Sequence, residues 1–70
     1  MSIIKYDDNY DYLRDLEDGN ENISDEVWDI INEYGFEFRD LDLYYANGKQ
    51  DRIKEMVEKI KKQIEREDED

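Results

Sequence analysis

Seven acidic residues fall into two stripes at helical spacing, and their types and positions offer the clearest route to a function. Members of each stripe are three or four residues apart, which places them on one face of a helix. Successive members then lie about 5 Å apart along the axis, whereas duplex DNA carries one charge per about 1.7 Å with both strands counted. The first stripe is Asp8, Asp11, Asp15 and Asp18, and the second is Glu26, Asp29 and Glu33.

Two such stripes, doubled by a dimer, resemble loosely one charged edge of a duplex as a basic groove would meet it. We therefore predict that the stripes bind the DNA-binding groove of a basic protein. The competing interpretation is that the acids are only a solvated surface that confers solubility. Direct nucleic-acid binding is not expected, because affinity for nucleic acid comes from basic residues that neutralise phosphates, whereas this chain has a net charge of −12.

Other uses of carboxylates fit the sequence poorly. A calcium-binding EF-hand loop needs an acid at position 1 and Gly at position 6. Placing Gly19 at position 6 puts Arg14 at position 1, and starting from Asp15 moves Gly19 to position 5. The chain has no Cys and no His, which removes the usual nucleophile, general base and zinc ligands. We expect no enzymatic activity, no cofactor and no metal site.

The charge of the chain is high and uneven. Its 70 residues carry a formal net charge of −12. Fourteen acids against three bases leave residues 1–42 at −11, whereas six bases against three acids give residues 49–64 a charge of +3. Such charge favours disorder, but six Tyr, two Phe and one Trp favour a packed core. We predict one acidic globular domain over residues 1–66 and a frayed acidic tail over residues 67–70.

Capping residues predict two short helices that carry the stripes. Asp7 or Asp8 can cap the first helix, which Gly19 ends. Ser24 can cap the second, which ends at Gly35.

Two segments, residues 2–6 and 36–46, are predicted to be strands. The apolar residues of the second segment alternate, but their phase changes near Asp40. A β-bulge reconciles the two phases, as does a short helix beginning at Asp40, and we favour the strand. The alternating residues are Phe36 and Phe38 in one phase and Leu41, Leu43 and Tyr45 in the other.

A long amphipathic helix is predicted from Asp51 to about Arg66. Its apolar stripe can pack on the core of its own chain, or form the seam of a homodimer, and both hold if the core continues across a two-fold axis. We therefore expect a homodimeric α+β fold, mainly helical, with one or two short strands. The residues of this seam are Ile53, Val57, Ile60 and Ile64.

In size, charge, aromatic content and lack of Cys, the chain resembles the small acidic DNA-mimic proteins that lytic phages make to take over the host cell. It is most similar to the type that inhibits the nucleoid protein HU and is dimeric. The resemblance covers the character of the whole chain and no motif, so it transfers no functional residue. It implies an inhibitor that occupies the DNA-binding surface of HU, or otherwise of a sliding clamp or nuclease, in the cytoplasm of a bacterial cell.

The alternative function is an ordinary protein-interaction module, such as an adaptor or an antitoxin-like protein. In that case the aromatic residues Trp28, Tyr44 and Tyr45 would form an apolar contact patch. No apolar run approaches the length of a membrane span, so we expect no membrane partner.

Overall fold

The described part of the chain, residues 6–19 and 23–68 of a computed structural model, consists of helices joined by short turns. A 3₁₀ turn, Phe38–Asp40, leads directly into the third helix. Those two ranges contain no β-strand, so the predicted α+β class is wrong and the described fold is all-helical. The predicted strand at 2–6 lies outside the described residues, apart from Tyr6, which is not in a strand. The helices are α1 (Asp8–Asp18), α2 (Asp25–Glu33), α3 (Leu41–Ala46) and α4 (Gln50–Asp68).

The predicted caps begin α1 and α2. The Asp7 side chain accepts a hydrogen bond from the backbone N–H of Tyr10 at 3.2 Å, and the Ser24 hydroxyl accepts one from Val27 at 3.3 Å. Each bond satisfies a donor that the first turn of a helix leaves unpaired. Gly35 then turns the chain out of α2 at a φ of +64°, a conformation that glycine adopts without steric cost.

The predicted strand at 36–46 is instead the 3₁₀ turn followed by α3. Leu41 and Tyr45, one helical turn apart, are both buried, whereas Leu43 is 57% exposed. In a strand all three side chains would lie on one face, so the alternation of the sequence did not reflect burial. Backbone bonds within the segment, such as Asn47 N–H to the Leu43 carbonyl at 3.0 Å, replace the pairing that a strand needs.

The core forms where α1, α2 and α3 meet one side of α4. Leu13 is the fully buried residue of α1, and Val27 and Ile31 are those of α2. Helix α2 packs along α4, and α1 contacts α4 and the 3₁₀ turn. The buried cluster consists of Leu13, Val27, Ile31, Phe36, Leu41, Tyr45, Ile53, Met56, Val57 and Ile60.

The apolar stripe of α4 packs within its own chain. Ile53, Val57 and Ile60 are buried among the residues of the core, and Ile64 is half-buried at its edge. These contacts are made without a second chain, so the predicted homodimer stays a prediction. Helix α4 also continues beyond its predicted end into the predicted tail, where the Ser24 hydroxyl donates to the Glu67 carboxylate at 2.6 Å.

Substitution of two leucines distinguishes a helix from a strand over residues 41–46. Leu41→Ala removes a fully buried side chain and should lower the free energy of unfolding by about 2–5 kcal/mol. Leu43→Ala alters an exposed side chain and should change it by less than about 0.5 kcal/mol. Urea unfolding followed by circular dichroism measures both values. Equal losses would instead favour the strand phase, in which both leucines are buried.

Candidate functional site

The first acidic stripe occupies the outer face of α1. Asp8, Asp11, Asp15 and Asp18 are all exposed, whereas Leu13 on the inner face is fully buried. The stripe spans about 15 Å along the helix, from the 1.5 Å rise of each residue. The helix thus carries four carboxylates in one row facing solvent.

The second stripe lies on α2 in the same way. Glu26, Asp29 and Glu33 are exposed, and the buried Val27 and Ile31 hold the opposite face against α4. This row spans about 10 Å. Both predicted stripes are therefore present as solvent-facing rows, one on each of two helices that pack on α4.

None of the seven stripe carboxylates forms an ion pair within the described residues. The ion pairs found there join Arg14 to Glu17 and Asp42, at 3.4 and 3.3 Å, and Arg39 to Glu37 at 3.1 Å. No basic residue of α4 takes part in these pairs. The charge of the stripes is thus not neutralised by an ion pair among the described residues.

Arg14, the basic residue within α1, is held away from the first stripe. Its guanidinium donates to the Tyr10 hydroxyl from Nε at 3.1 Å and from Nη2 at 2.9 Å, and lies 5.0 Å from the centre of the Tyr10 ring. The Tyr10 hydroxyl in turn donates to Asp42 at 2.7 Å. The hydrogen bond to Tyr10, more than any nearby carboxylate, raises the pKa of Arg14. Arg14 therefore neutralises Asp42 and Glu17 rather than a stripe residue.

Tyr45 fixes the beginning of α1 against α3. Its ring is only 2% exposed and meets the Tyr10 ring edge-on at 5.5 Å. Its hydroxyl donates to the Asp7 carboxylate, which also caps α1. Burial first, and then the hydrogen bond to Asp7, raise the pKa of Tyr45. The first stripe thus begins one residue after an anchored cap.

The raised pKa of Tyr45 predicts alkaline destabilisation. An unfolded tyrosine loses its proton near pH 10, before buried Tyr45 does, so its contribution is complete below about pH 10 and is lost as the pH rises above that value. Tyr45→Phe should reduce the fall in the free energy of unfolding by up to about 1.4 kcal/mol per pH unit above pH 10. Urea unfolding at several pH values tests this. An unchanged slope would show that Tyr45 ionises as easily in the folded chain.

The aromatic residues of the alternative contact patch do not lie together on the surface. Tyr45 belongs to the core, whereas Trp28 and Tyr44 are half-buried. Two residues that the sequence interpretation left out of the patch connect them: Phe38 meets Trp28 edge-on at 6.0 Å, and Phe36 stacks on Tyr44 at 5.4 Å. Phe36 and Phe38 connect Trp28 to Tyr44 in a chain whose residues 38–46 form the 3₁₀ turn and α3, an arrangement that the predicted strand did not suggest.

A cavity of about 250 Å³ between α2, α3 and α4 is a second feature that the sequence interpretation missed. Two basic residues, Lys49 and Arg52, lie beside its aromatic walls. The sequence does contain a sign of this cavity. Two basic and two apolar residues are spaced three or four apart and therefore share one side of the helix at the start of α4: Lys49, Arg52, Ile53 and Met56.

The described residues offer neither a metal centre nor a membrane span. No group of three or more His, Cys, Asp or Glu side chains among them could hold a metal ion. Over the same ranges, no helix combines the length and the apolar character needed to cross a bilayer. The chain matches no protein-family model, no curated protein and no solved structure, so the candidate surfaces rest on their own geometry.

The unpaired stripes predict that salt stabilises the fold. Like charges on one surface oppose the compact state, and the Debye length shortens from about 30 Å at 0.01 M to about 10 Å at 0.1 M salt. The melting temperature should therefore rise between about 0.01 M and about 0.5 M NaCl. The variant with Asp11, Asp15 and Asp18 changed to Asn should show a smaller rise. A flat curve for the unaltered protein would mean that the carboxylates are already neutralised.

Proposed function

We propose that this protein is a DNA mimic that inhibits a basic DNA-binding protein by occupying its DNA-binding surface. The observation that supports this most is the pair of exposed acidic rows on α1 and α2 whose carboxylates form no ion pairs within the described residues. A basic groove would supply the Lys and Arg partners that the chain itself does not bring to these rows. No catalytic step is part of the proposal.

The charges would favour both a fast encounter with the partner and a defined orientation in the complex. A net charge of −12 attracts a basic partner over the Debye length and raises the rate of encounter. The rows then set the orientation, because displaced carboxylates would meet no cation. The elongated body, 48 Å long and 20 by 19 Å across, presents α1 and α2 as exposed helices on which both acidic stripes face solvent.

The nucleoid protein HU in the cytoplasm of an infected bacterial cell is the favoured partner, on the resemblance to phage DNA mimics. A sliding clamp or a nuclease would offer a similar basic surface. A homodimer would double the number of acidic rows on one particle, but the complex as proposed needs only one chain.

The second candidate is an interaction module that binds through aromatic residues. The connected rings of Trp28, Phe38, Phe36 and Tyr44 favour it, because Trp28, Phe38 and Tyr44 are only half-buried. Large aromatic residues contribute disproportionately to protein interfaces. In that function the acidic rows would only keep the protein soluble.

The test is competition with duplex DNA for HU, followed by gel shift. The unaltered protein should displace DNA from HU and should not bind DNA itself. Changing Asp11, Asp15 and Asp18 together to Asn removes three charges from the first row while keeping shape and polarity. At a few tenths to 1 kcal/mol for each exposed pair, this variant should weaken the complex by about 1–3 kcal/mol, and added salt should weaken the unaltered complex steeply.

A matched variant separates the acidic rows from net charge. Changing Asp51 to Asn and Glu58 and Glu65 to Gln alters the charge by the same three units on exposed positions of α4, and should leave competition nearly unchanged. Weakening equal to that of the α1 variant would mean that only net charge matters.

The α2 row and the aromatic residues complete the test. The change of Glu26 and Glu33 to Gln with Asp29 to Asn shows whether α2 also faces the partner. If both row variants compete as well as the unaltered protein while Trp28→Ala does not, the interaction module is the correct function. Failure to displace DNA from HU removes HU as the partner, and failure with every basic protein tried, including a clamp and a nuclease, refutes mimicry.

A further inference from the structure

An open cavity of about 250 Å³ lies where the end of α2, α3 and the start of α4 meet. Its walls are mainly aromatic and aliphatic, although the chain as a whole is highly charged. Two basic residues, Lys49 and Arg52, complete the lining. The apolar part of the wall consists of Tyr34, Phe36, Tyr44, Ile53 and Met56.

The aromatic wall is fixed before any ligand arrives. The rings of Phe36 and Tyr44 stack with centroids 5.4 Å apart and an interplanar angle of 30°. The Tyr44 hydroxyl donates to the Gly35 carbonyl and accepts from the Glu37 N–H, each at 3.4 Å. These bonds tie α3 to the turn that follows α2, so the cavity is a feature of the fold and not a gap between loose side chains.

Tyr34 holds one of the two cations at the cavity. Arg52 donates to the Tyr34 carbonyl at 3.4 Å, and its guanidinium lies 5.2 Å from the centre of the Tyr34 ring. The Tyr34 hydroxyl is directed to Glu55, to which it donates at 3.0 Å. A guanidinium has five N–H donors, so these contacts leave Arg52 donors to offer a ligand.

The second cation, Lys49, is exposed beside the same wall. Neither Lys49 nor Arg52 has a carboxylate within ion-pair distance among the described residues. Glu33, Glu55 and Lys59 line an adjoining polar recess with Arg52, so two carboxylates lie on that side. The cationic character is therefore local and favours a ligand with a single negative charge.

We propose that this cavity binds a small aromatic monocarboxylate. A dry cavity of about 150 Å³ is enough to hold benzene, so about 250 Å³ admits one ring with a short acidic arm. The ring would pack against Tyr34 and Tyr44, the half-buried aromatic residues of the lining. Its carboxylate would reach Lys49 and Arg52, because these are the cations of the lining.

The ligand carries no more than one charge, since the net charge of −12 repels polyanions at long range. The site does not depend on DNA mimicry, because no residue of either acidic row lines this cavity. A protein that failed to compete with DNA could still bind the ligand, and the reverse is equally true.

The test is a titration of the ¹⁵N-labelled protein with phenylacetate, followed by amide chemical shifts. Phenylacetamide is the neutral control with the same ring. Phenylacetate should shift amides of Phe36, Tyr44 and Ile53 in a saturable manner and bind at least about twofold more tightly than the amide. No saturable shifts, shifts spread over the whole chain, or equal affinity for the amide would overturn the proposal.

Substitutions of the cations provide the second part of the test. Lys49→Gln and Arg52→Gln should each weaken phenylacetate binding about two- to fivefold, as expected for a partly exposed ion pair. Lys54→Gln is the matched control, since Lys54 is an exposed lysine of α4 outside the cavity lining. Equal weakening by Lys54→Gln would show only an effect of net charge and would refute the assigned site.

The same carboxylate chemistry occurs at the C-terminus of a peptide that ends in an aromatic residue. N-acetylphenylalanine distinguishes that source in the same titration. Weaker binding than phenylacetate supports the free acid, whereas clearly tighter binding at the same amides would replace the free acid by a peptide terminus and overturn the proposal as stated.

Discussion

The two helices that carry the acidic stripes, α1 and α2, are held in place by packing against the apolar side of α4. Leu13 from α1 and Ile31 from α2 pack into the same cluster as Val57 and Ile60, so one helix supplies the surface on which the others assemble. The net charge of −12 acts against this arrangement, because folding brings the carboxylates closer together. Burial of an aliphatic side chain contributes about 1.5–3 kcal/mol, and in a small domain such burial must offset both chain entropy and charge repulsion.

Tyrosine resolves the conflict between an apolar core and a carboxylate-rich surface. The ring of Tyr45 is buried, yet its hydroxyl reaches the Asp7 carboxylate. Tyr10 and Tyr34 likewise pack against the core and direct their hydroxyls to Asp42 and Glu55. Phenylalanine at these positions would fill the same space but would remove one hydrogen-bond donor from each carboxylate, although Asp7 would keep the Tyr10 N–H and Asp42 would keep Arg14. The tyrosines among the acids therefore have a role within the fold and need no ligand to explain them.

Local signals in the sequence were sufficient to predict the ends of helices, where a single residue determines the backbone conformation. Asp7 and Ser24 cap helices, and Gly35 takes a positive φ that ends α2. Their effect depends on neighbours within four residues, so a single sequence reveals it. The apolar stripe of α4 was predicted equally well, because it repeats at helical spacing from Ile53 to Ile64.

The segment from Phe36 to Ala46 could not be assigned in this way. Its alternation has the period of a strand, but a strand forms only beside another strand, and no such partner exists in residues 6–19 and 23–68. Leu41 and Tyr45 are buried in the same cluster as Leu13 of α1 and residues of α4, so their burial depends on tertiary packing and not on neighbours within a few residues. The cavity was missed for the same reason, since its aromatic wall exists only once α3 is a helix. Exposure of the acidic rows, by contrast, followed from the buried residues opposite them.

The distribution of charge bears on whether the acids only confer solubility. Solubility depends mainly on net charge and is served by charges of both signs interspersed over the surface. Here seven of the ten basic residues lie between positions 49 and 66, yet in the part of the chain that the structure describes none of them forms an ion pair with the acidic rows. Pairing them would lower the self-repulsion of the fold without changing net charge. The separation leaves that self-repulsion in place and gives the protein an asymmetric electrostatic field, which is the property that the proposed binding of a basic partner would use.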